Sequence, residues 1–527
     1  MRLLPFALAS IPAVALATNF PYVTKGPVIT SVTPTDAWVA WETAHHEGKG
    51  TDPTDSLENC DTEASLPLIG DHNNDTPTLT LSDGETFTDA TCSRDHHVHL
   101  TGLAPNTHHS FTLDKPFDSS TGPTAGGEFT TATTDPDARF SFIVYGDNRD
   151  DQALTGTSTQ TDHQAVANAI ADDDSDAAFI INTGDLALNI TAVSGDDNGY
   201  TEFFDVERAL LSTRPLFTAI GNHETIDTSE FDTLINPRSW EGLPHPYYWS
   251  FDWGAAHFAI LDAFEGAKSY AGLGDRAPGV SDAQAQWLDQ DLAQAQAKGQ
   301  ILIVVAHQSP FSHPAPNETS GHGDSVPMQQ KILPILLKYG VYALFAGHDH
   351  YYQHGHEGCL DYFVVGGGGA PQYKPDPNAP GVIAAVETTS YVVVTVSGHQ
   401  ATGIAKATSG DVLDQFTLTP ANGAPCGVTT VGPAGGPDGG TTGPDAGAPG
   451  VDAGTSAADA GGAAVADAGS GAGPTTTDAG AQPTDAGGQT TSNAHAGGCQ
   501  CGLGGGASAL VGLLLLSLAL ARRRRTQ

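Results

Sequence analysis

Between residue 138 and about residue 420 the chain repeats one pattern, an apolar run that closes on a polar cluster and is followed by a helical segment. The runs are Phe140 to Tyr145, Phe179 to Thr183, Leu216 to Ile220, Phe258 to Leu261, Ile301 to Ala306 and Tyr342 to Ala346. Runs this short and this apolar suit buried strands. Ser281 to Ala297 reads as a helix with Ser281 as N-cap and Gln284 three residues on, and Pro327 to Tyr339 as another, stopped by Gly340. Buried strands alternating with helices make an α/β domain, and in such sheets ligands gather beyond the carboxyl ends of the strands. Those ends are where this chain places its Asp, Asn and His residues.

Five clusters stand there: Gly146-Asp147-Asn148-Arg149, Gly184-Asp185-Leu186, Gly221-Asn222-His223-Glu224, His307, and Gly347-His348-Asp349-His350. Together they bring two carboxylates, one amide and three imidazoles to one sheet edge, with glycines that let the backbone turn sharply. Carboxylate and imidazole donors suit Mn, Zn or Fe rather than Ca. A carboxylate shared by two ions ~3.5–4 Å apart gives a hydrolytic centre that generates hydroxide at neutral pH and clamps a phosphoryl group. Each cluster alone is weak, since an Asp after a strand is usually a turn former and a buried His is usually structural. The joint occurrence in this order carries the argument.

That order, GD…GD…GNHE…H…GHDH, is similar to the calcineurin-like metallophosphoesterase superfamily. The segment Gly242 to Phe251 (Gly-Leu-Pro-His-Pro-Tyr-Tyr-Trp-Ser-Phe) and Leu261-Asp262 resemble its purple acid phosphatase branch. The resemblance implies a four-layer α/β/β/α sandwich over residues 138–420 that hydrolyses phosphate esters with two divalent or trivalent ions. It implies that Asp147, Asp185 and His350 hold the first ion, that Asp185 bridges, and that Asn222, His307 and His348 hold the second. His223 would hydrogen-bond the phosphate or protonate the leaving group. Two positions depart from the pattern. Many superfamily members have His where this chain has Arg149, and purple enzymes have Tyr where it has Leu188. The first ion therefore lacks its expected fourth protein ligand. Arg149 either clamps a phosphate oxygen or pairs with a carboxylate such as Asp150 or Asp151.

Residues 18–134 read as β-rich, with Val28 to Val32 and Ala37 to Glu42 alternating about a turn at Pro34-Thr35-Asp36. Trp41 and the Leu103-x-Pro105-x-Thr107 corner resemble a fibronectin-III sandwich, with His109 at the place of the usual corner Tyr. Three His pairs, 45–46, 96–97 and 108–109, are expected on solvated surface. Asn74, Asn189 and Asn317 are expected to match N-x-[ST] by chance. Gly366 to Gly369 lacks a P-loop Lys and is expected to let the backbone pass close to the metal edge.

No aromatic residue follows Phe416, so the folded part is expected to end near residue 420. The Asp-Ala-Gly repeat at residues 421–498 is spaced too irregularly to pack and reads as a flexible anionic stalk. Residues 1–17 read as a secretory signal cleaved after Ala17. At residues 499–527, a Gly-Cys-Gln-Cys-Gly motif leads into an apolar run and Arg522 to Arg525. That run reads as a short transmembrane segment with its cytoplasmic side set by the arginines. The layout resembles the MYXO-CTERM sorting signal, which implies processing by a sorting protease and display at the cell surface or release. Six cysteines in an exported chain can pair, Cys60 with Cys92 and Cys359 with Cys426 being the expected bridges. A formal net charge of −40 repels phosphate backbones and excludes nucleic-acid binding through a basic surface. The reading is thus a surface-anchored or secreted phosphoesterase; the alternative is a non-catalytic adhesion or binding protein with a degenerate metal domain.

Overall fold

The computed structural model describes residues 21–45, 78–89, 95–113, 126–150, 158–173, 175–189, 199–243, 247–265 and 278–418. Two mixed sheets face each other. The first has nine strands in the order Val412–Leu418, Gln400–Ala407, Ser390–Ser397, Arg139–Tyr145, Ala177–Asn182, Leu216–Thr218, Pro21–Thr30, Asp36–His45 and Asp95–Thr101. The second has seven: Trp249–Trp253, Ala256–Ile260, Ile301–Gln308, Ala343–Gly347, Leu360–Val365, Tyr352–Glu357 and Val382–Val386.

Side-chain alternation decides what each face covers. On Arg139–Tyr145, Phe142 and Val144 enter the layer between the sheets, while Ile143 and Tyr145 enter an outer layer with the helices Gln160–Ala171 and Tyr200–Leu211. On Ile301–Gln308, Ile303 and Val305 face inward, whereas Leu302 and Val304 meet the helices Asp282–Ala297 and Leu333–Tyr339. The result is helix, sheet, sheet, helix. The inner layer is rich in rings: Phe142 stacks on Phe179 at 5.3 Å, and Phe179 lies 4.6 Å from Trp253. Burying such rings contributes roughly 1.5–3 kcal/mol each.

The three parallel pairings among the strands at 139–145, 177–182, 256–260, 301–308 and 343–347 send their carboxyl ends to one edge. All six expected runs are strands, within a few residues at each end. Ser281 caps its helix by accepting the Gln284 N–H at 3.0 Å. The expected helix from Pro327 differs: Met328–Ile332 winds as a π-helix before the α-helical turns of Leu333–Tyr339, and Gly340 (φ 64°) ends it. Pro334 explains the change, because it lacks an N–H and its ring crowds the carbonyl four residues back.

The strands at 21–30, 36–45 and 95–101 join the first sheet through a parallel pairing of Thr30 with Leu216, opposite a separate four-stranded sheet, Thr86–Thr88, Thr78–Leu81, His108–Leu113 and Gly126–Thr130. Trp41 is buried between them. Two of the expected surface histidines are not on the surface: His96 and His109 are buried, because alternate residues of each strand point inward. His97 stacks on Trp240 at 4.1 Å. Cys359 is disulfide-bonded, and its expected partner Cys426 lies outside the described residues. The expected signal segment, stalk, sorting motif and membrane segment also lie outside them; among the described residues no helix is long and apolar enough to cross a membrane.

Candidate metal centre

Asp147, Asp185 and His348 each follow a glycine at a strand end and hold φ angles of 61°, 57° and 71°. Left-handed backbone at a residue with a side chain costs of order 1 kcal/mol and recurs at functional sites. The glycines are sterically required. A Cβ at Gly221 would lie 2.2 Å from Asp185 Oδ1, and one at Gly347 2.1 Å from Asp147 Oδ2. The run at Gly366 to Gly369 passes against the same loop, as expected: a Cβ at Gly366 would reach 3.0 Å from Asp147 Oδ2.

All eight expected site residues converge here and are buried. His307 Nε2 lies 3.3 Å from Asp185 Oδ1 and 3.0 Å from Asn222 Oδ1. Donor atoms of Asp185, His307 and His348 all fall within 4.8 Å of one another, the spacing of ligands on one ion. His350 Nε2 is 3.6 Å from Asp147 Oδ1, and His223 Nε2 is 3.9 Å from Asp185 Oδ2. The His348 N–H donates to both Asp147 oxygens, at 2.9 and 3.0 Å.

Backbone carbonyls orient three of the rings. Thr183 O, Leu188 O and Pro371 O lie 2.8, 2.6 and 2.7 Å from the Nδ1 atoms of His307, His223 and His350. A carbonyl can only accept, so each Nδ1 carries the proton and each Nε2 is turned to the centre. That is the arrangement of metal-binding imidazoles. Leu188 thus contributes its carbonyl where a Tyr would contribute a phenol.

The electrostatics call for positive charge. Burial and the neighbouring Asp185 raise Asp147 to about 8, against the pull of His307 and Arg149. Burial also pushes Asp185 upward, but His307, His223 and Arg149 outweigh it and hold this carboxyl well below its ordinary range. His307 is desolvated, yet Asp185 and Asp147 lift it to about 9. Burial holds His348 and His350 well below the usual imidazole value, so both remain neutral donors. Neutral imidazoles beside buried carboxylates are a donor set that fits a divalent transition ion.

Several supporting residues have no assigned part in the sequence reading. Glu224, fully buried, accepts the N–H groups of Asp185 (2.9 Å), Gly221 (2.8 Å) and Leu186 (2.8 Å) and so ties two ligand loops together. Its place after Asn222-His223 was the available signal. Asn189 Nδ2 donates to the carbonyls of His223 and Asp227, both at 2.7 Å, which buries the chance N-x-[ST] match. Behind Asp147, His163 Nε2 lies 2.7 Å from Glu207 Oε1 and 3.1 Å from Asn148 Nδ2. At the rim His322 stacks on His348 (3.8 Å), and Tyr373 on His350 (4.1 Å). No local motif marks these residues.

Comparison with known proteins follows the same lines. The family model of the calcineurin-like phosphoesterases matches residues 142–352. Purple acid phosphatase 23 of Arabidopsis thaliana is 25% identical over 361 residues, covering 61% of this chain and 72% of its own. An uncharacterised protein of Mycobacterium tuberculosis is 24% identical over 298 residues, 50% of this chain and 51% of its own. The fold resembles that of a purple acid phosphatase from yellow lupin (Lupinus luteus) seeds, with a TM-score of 0.54 at 17% identity over 76% of this chain and 74% of that one. Residues 142–352 therefore form a calcineurin-like phosphoesterase domain with purple acid phosphatase homologues.

Proposed function

We propose that the chain is a metal-dependent, acid-phosphatase-like phosphoesterase that works outside the cytoplasm. The observation that carries this is the convergence of Asp185, Asn222, His307 and His348 on one buried point, with the His307 ring oriented by the Thr183 carbonyl. Asp185, Asn222, His307 and His348 would hold one ion; Asp147 and His350, together with Asp185, would hold the other, the first ion of the family pattern. A bound ion supplies Lewis acidity and brings the pKa of water toward neutrality.

The chain's own groups supply the rest. Arg149 presents a guanidinium to the same cleft, where it can take a phosphate oxygen. His223, held through Nδ1 by Leu188 O, directs Nε2 to the cleft and is placed to hold a proton for the leaving oxygen. Glu224 keeps the Asp185 and Asn222 loops in register. Export is supported by the N-terminal apolar run, and surface display by the Gly-Cys-Gln-Cys-Gly motif, apolar run and Arg cluster at the other end. The two-sheet N-terminal region reads as a fibronectin-III-like module.

The test is turnover of a chromogenic phosphate monoester and a diester by the purified protein, before and after chelation. Activity should vanish with chelator and return with Mn(II) or Zn(II). Binding of metal without turnover of either ester would favour the adhesion alternative.

A further inference from the structure

Arg149 stands two residues after Asp147, on the loop that follows the strand Arg139–Tyr145. Its side chain is buried, and its Nε lies 3.4 Å from Asp185 Oδ2. Its Nη2 lies 3.4 Å from His350 Nε2. Because His350 commits its Nδ1 proton to Pro371 O, its Nε2 is a lone pair, and the Arg149 Nη2–H points its donor there. This guanidinium thus addresses a carboxylate oxygen and an imidazole nitrogen that the family pattern assigns to the first ion. Asp150, next in sequence, accepts from the Ser158 hydroxyl (2.8 Å) and the Thr159 N–H (2.7 Å) at the start of a helix; Asp151 lies outside the described residues.

We propose that Arg149 takes the place of the first ion, standing as a fixed cation between Asp185 and His350, and that the centre binds one metal ion per chain on Asp185, Asn222, His307 and His348. The inference rests on the phosphoesterase reading of this cleft and sharpens it.

Three observations support it. A transition ion needs donors at ~2.0–2.2 Å, so an ion on His350 Nε2 and Asp185 Oδ2 would have to occupy the space toward which the guanidinium points. Arginine stays protonated, so it cannot yield that space by losing its charge. The other donor group is complete without it: His307 Nε2 sits 3.3 Å from Asp185 Oδ1 and 3.0 Å from Asn222 Oδ1, close to the ~3.4 Å edge that 2.1 Å bonds give around a tetrahedral ion. In this arrangement a phosphate ester is held by one ion and one guanidinium fork, and the planar fork fixes the orientation that a second ion would otherwise fix.

Metal stoichiometry tests the proposal directly. The protein is stripped with chelator, reloaded with excess Mn(II), desalted, and analysed by mass spectrometry for metal per chain. The wild type should hold close to one ion and show the isolated six-line Mn(II) spectrum in electron paramagnetic resonance. Arg149→His places an imidazole where the guanidinium was and should raise the count to two, with an exchange-coupled spectrum. If that variant fails to melt cooperatively, Arg149→Ala and the wild-type spectrum decide. Two ions in the wild type, or one ion in a natively melting Arg149→His protein, would overturn the proposal. Two ions with metal-dependent turnover defeat only this inference. No bound metal and no turnover defeat the phosphoesterase reading with it.

Discussion

Replacing Glu224 should uncouple two loops of the centre, and the size of the effect follows from its hydrogen bonds. Oε2 accepts the N–H groups of Asp185 and Gly221, and Oε1 accepts that of Leu186, all between 2.8 and 2.9 Å and fully buried. Leaving a buried donor unsatisfied costs about 1–3 kcal/mol. In Glu224→Gln one oxygen becomes a donor. The amide will keep its oxygen on the side that serves the two shorter bonds, so the loss is the Leu186 contact, about 1–3 kcal/mol, with the long Ala187 contact at 3.5 Å. Glu224→Ala strands the three close donors, about 3–9 kcal/mol less whatever water recovers. Because the Asp185 and Asn222 backbones are positioned through these contacts, metal affinity should fall along with stability. A loss of 1.4 kcal/mol in the positioning of the ligands is tenfold in affinity. Urea unfolding gives the first quantity and titration with a metal-sensitive dye the second. The expected order is wild type, then Gln, then Ala in both. An alanine variant with unchanged unfolding midpoint and unchanged metal affinity would refute the clamp.

Three further outcomes are expected. Burial opposes protonation of His257, but its contacts with Asp252 (2.7 Å) and Asp291 (2.8 Å) lift it to about 9 from an ordinary 6.5. This raised value contributes about 3 kcal/mol of stability below pH 6.5, lost as pH rises through 9. The stability gap between wild type and His257→Gln, read by urea unfolding, should therefore narrow between pH 6 and pH 10, and a constant gap would exclude the linkage. Asp185→Asn should leave a folded chain that retains little metal and negligible hydrolysis, as measured by circular dichroism, metal analysis and ester turnover. Normal activity in that variant would remove Asp185 from the centre. Finally, Leu188 is buried and has no donor side-chain atom in the place of a phenolate, so the active, metal-loaded protein should be nearly colourless; an intense visible band tracking iron content would show that a tyrosine reaches the metal.

Much of the fold could be read from local pattern because its causes are local. A buried strand must be apolar along its whole length, a helix must begin on a cap such as Ser281, and a sharp turn into a ligand position needs a glycine beside it. These constraints act within a few residues, so the six strands, their polar ends and the residues of the centre were visible in order along the chain. The antiparallel strands at 390–397, 400–407 and 412–418 end on turns at Gly398 and Gly410 rather than on clusters of Asp, Asn and His, and the sequence pattern did not place them.

What only the tertiary structure decided are relations between distant residues. Arg149 and His350 are 201 positions apart, and nothing near either shows that the guanidinium of one faces the lone pair of the other. Thr30 pairs with Leu216, so N-terminal strands extend the first sheet, although composition suggests a break between two domains. His96 and His109 look like surface residues by type and are buried by strand alternation. Motif and periodicity specify which side chains a strand end offers, because backbone geometry repeats over short spans. Which of those side chains meet, and whether a cation from the protein already stands among them, depends on packing two sheets face to face, and that packing is settled by long-range burial rather than by any local run of residues.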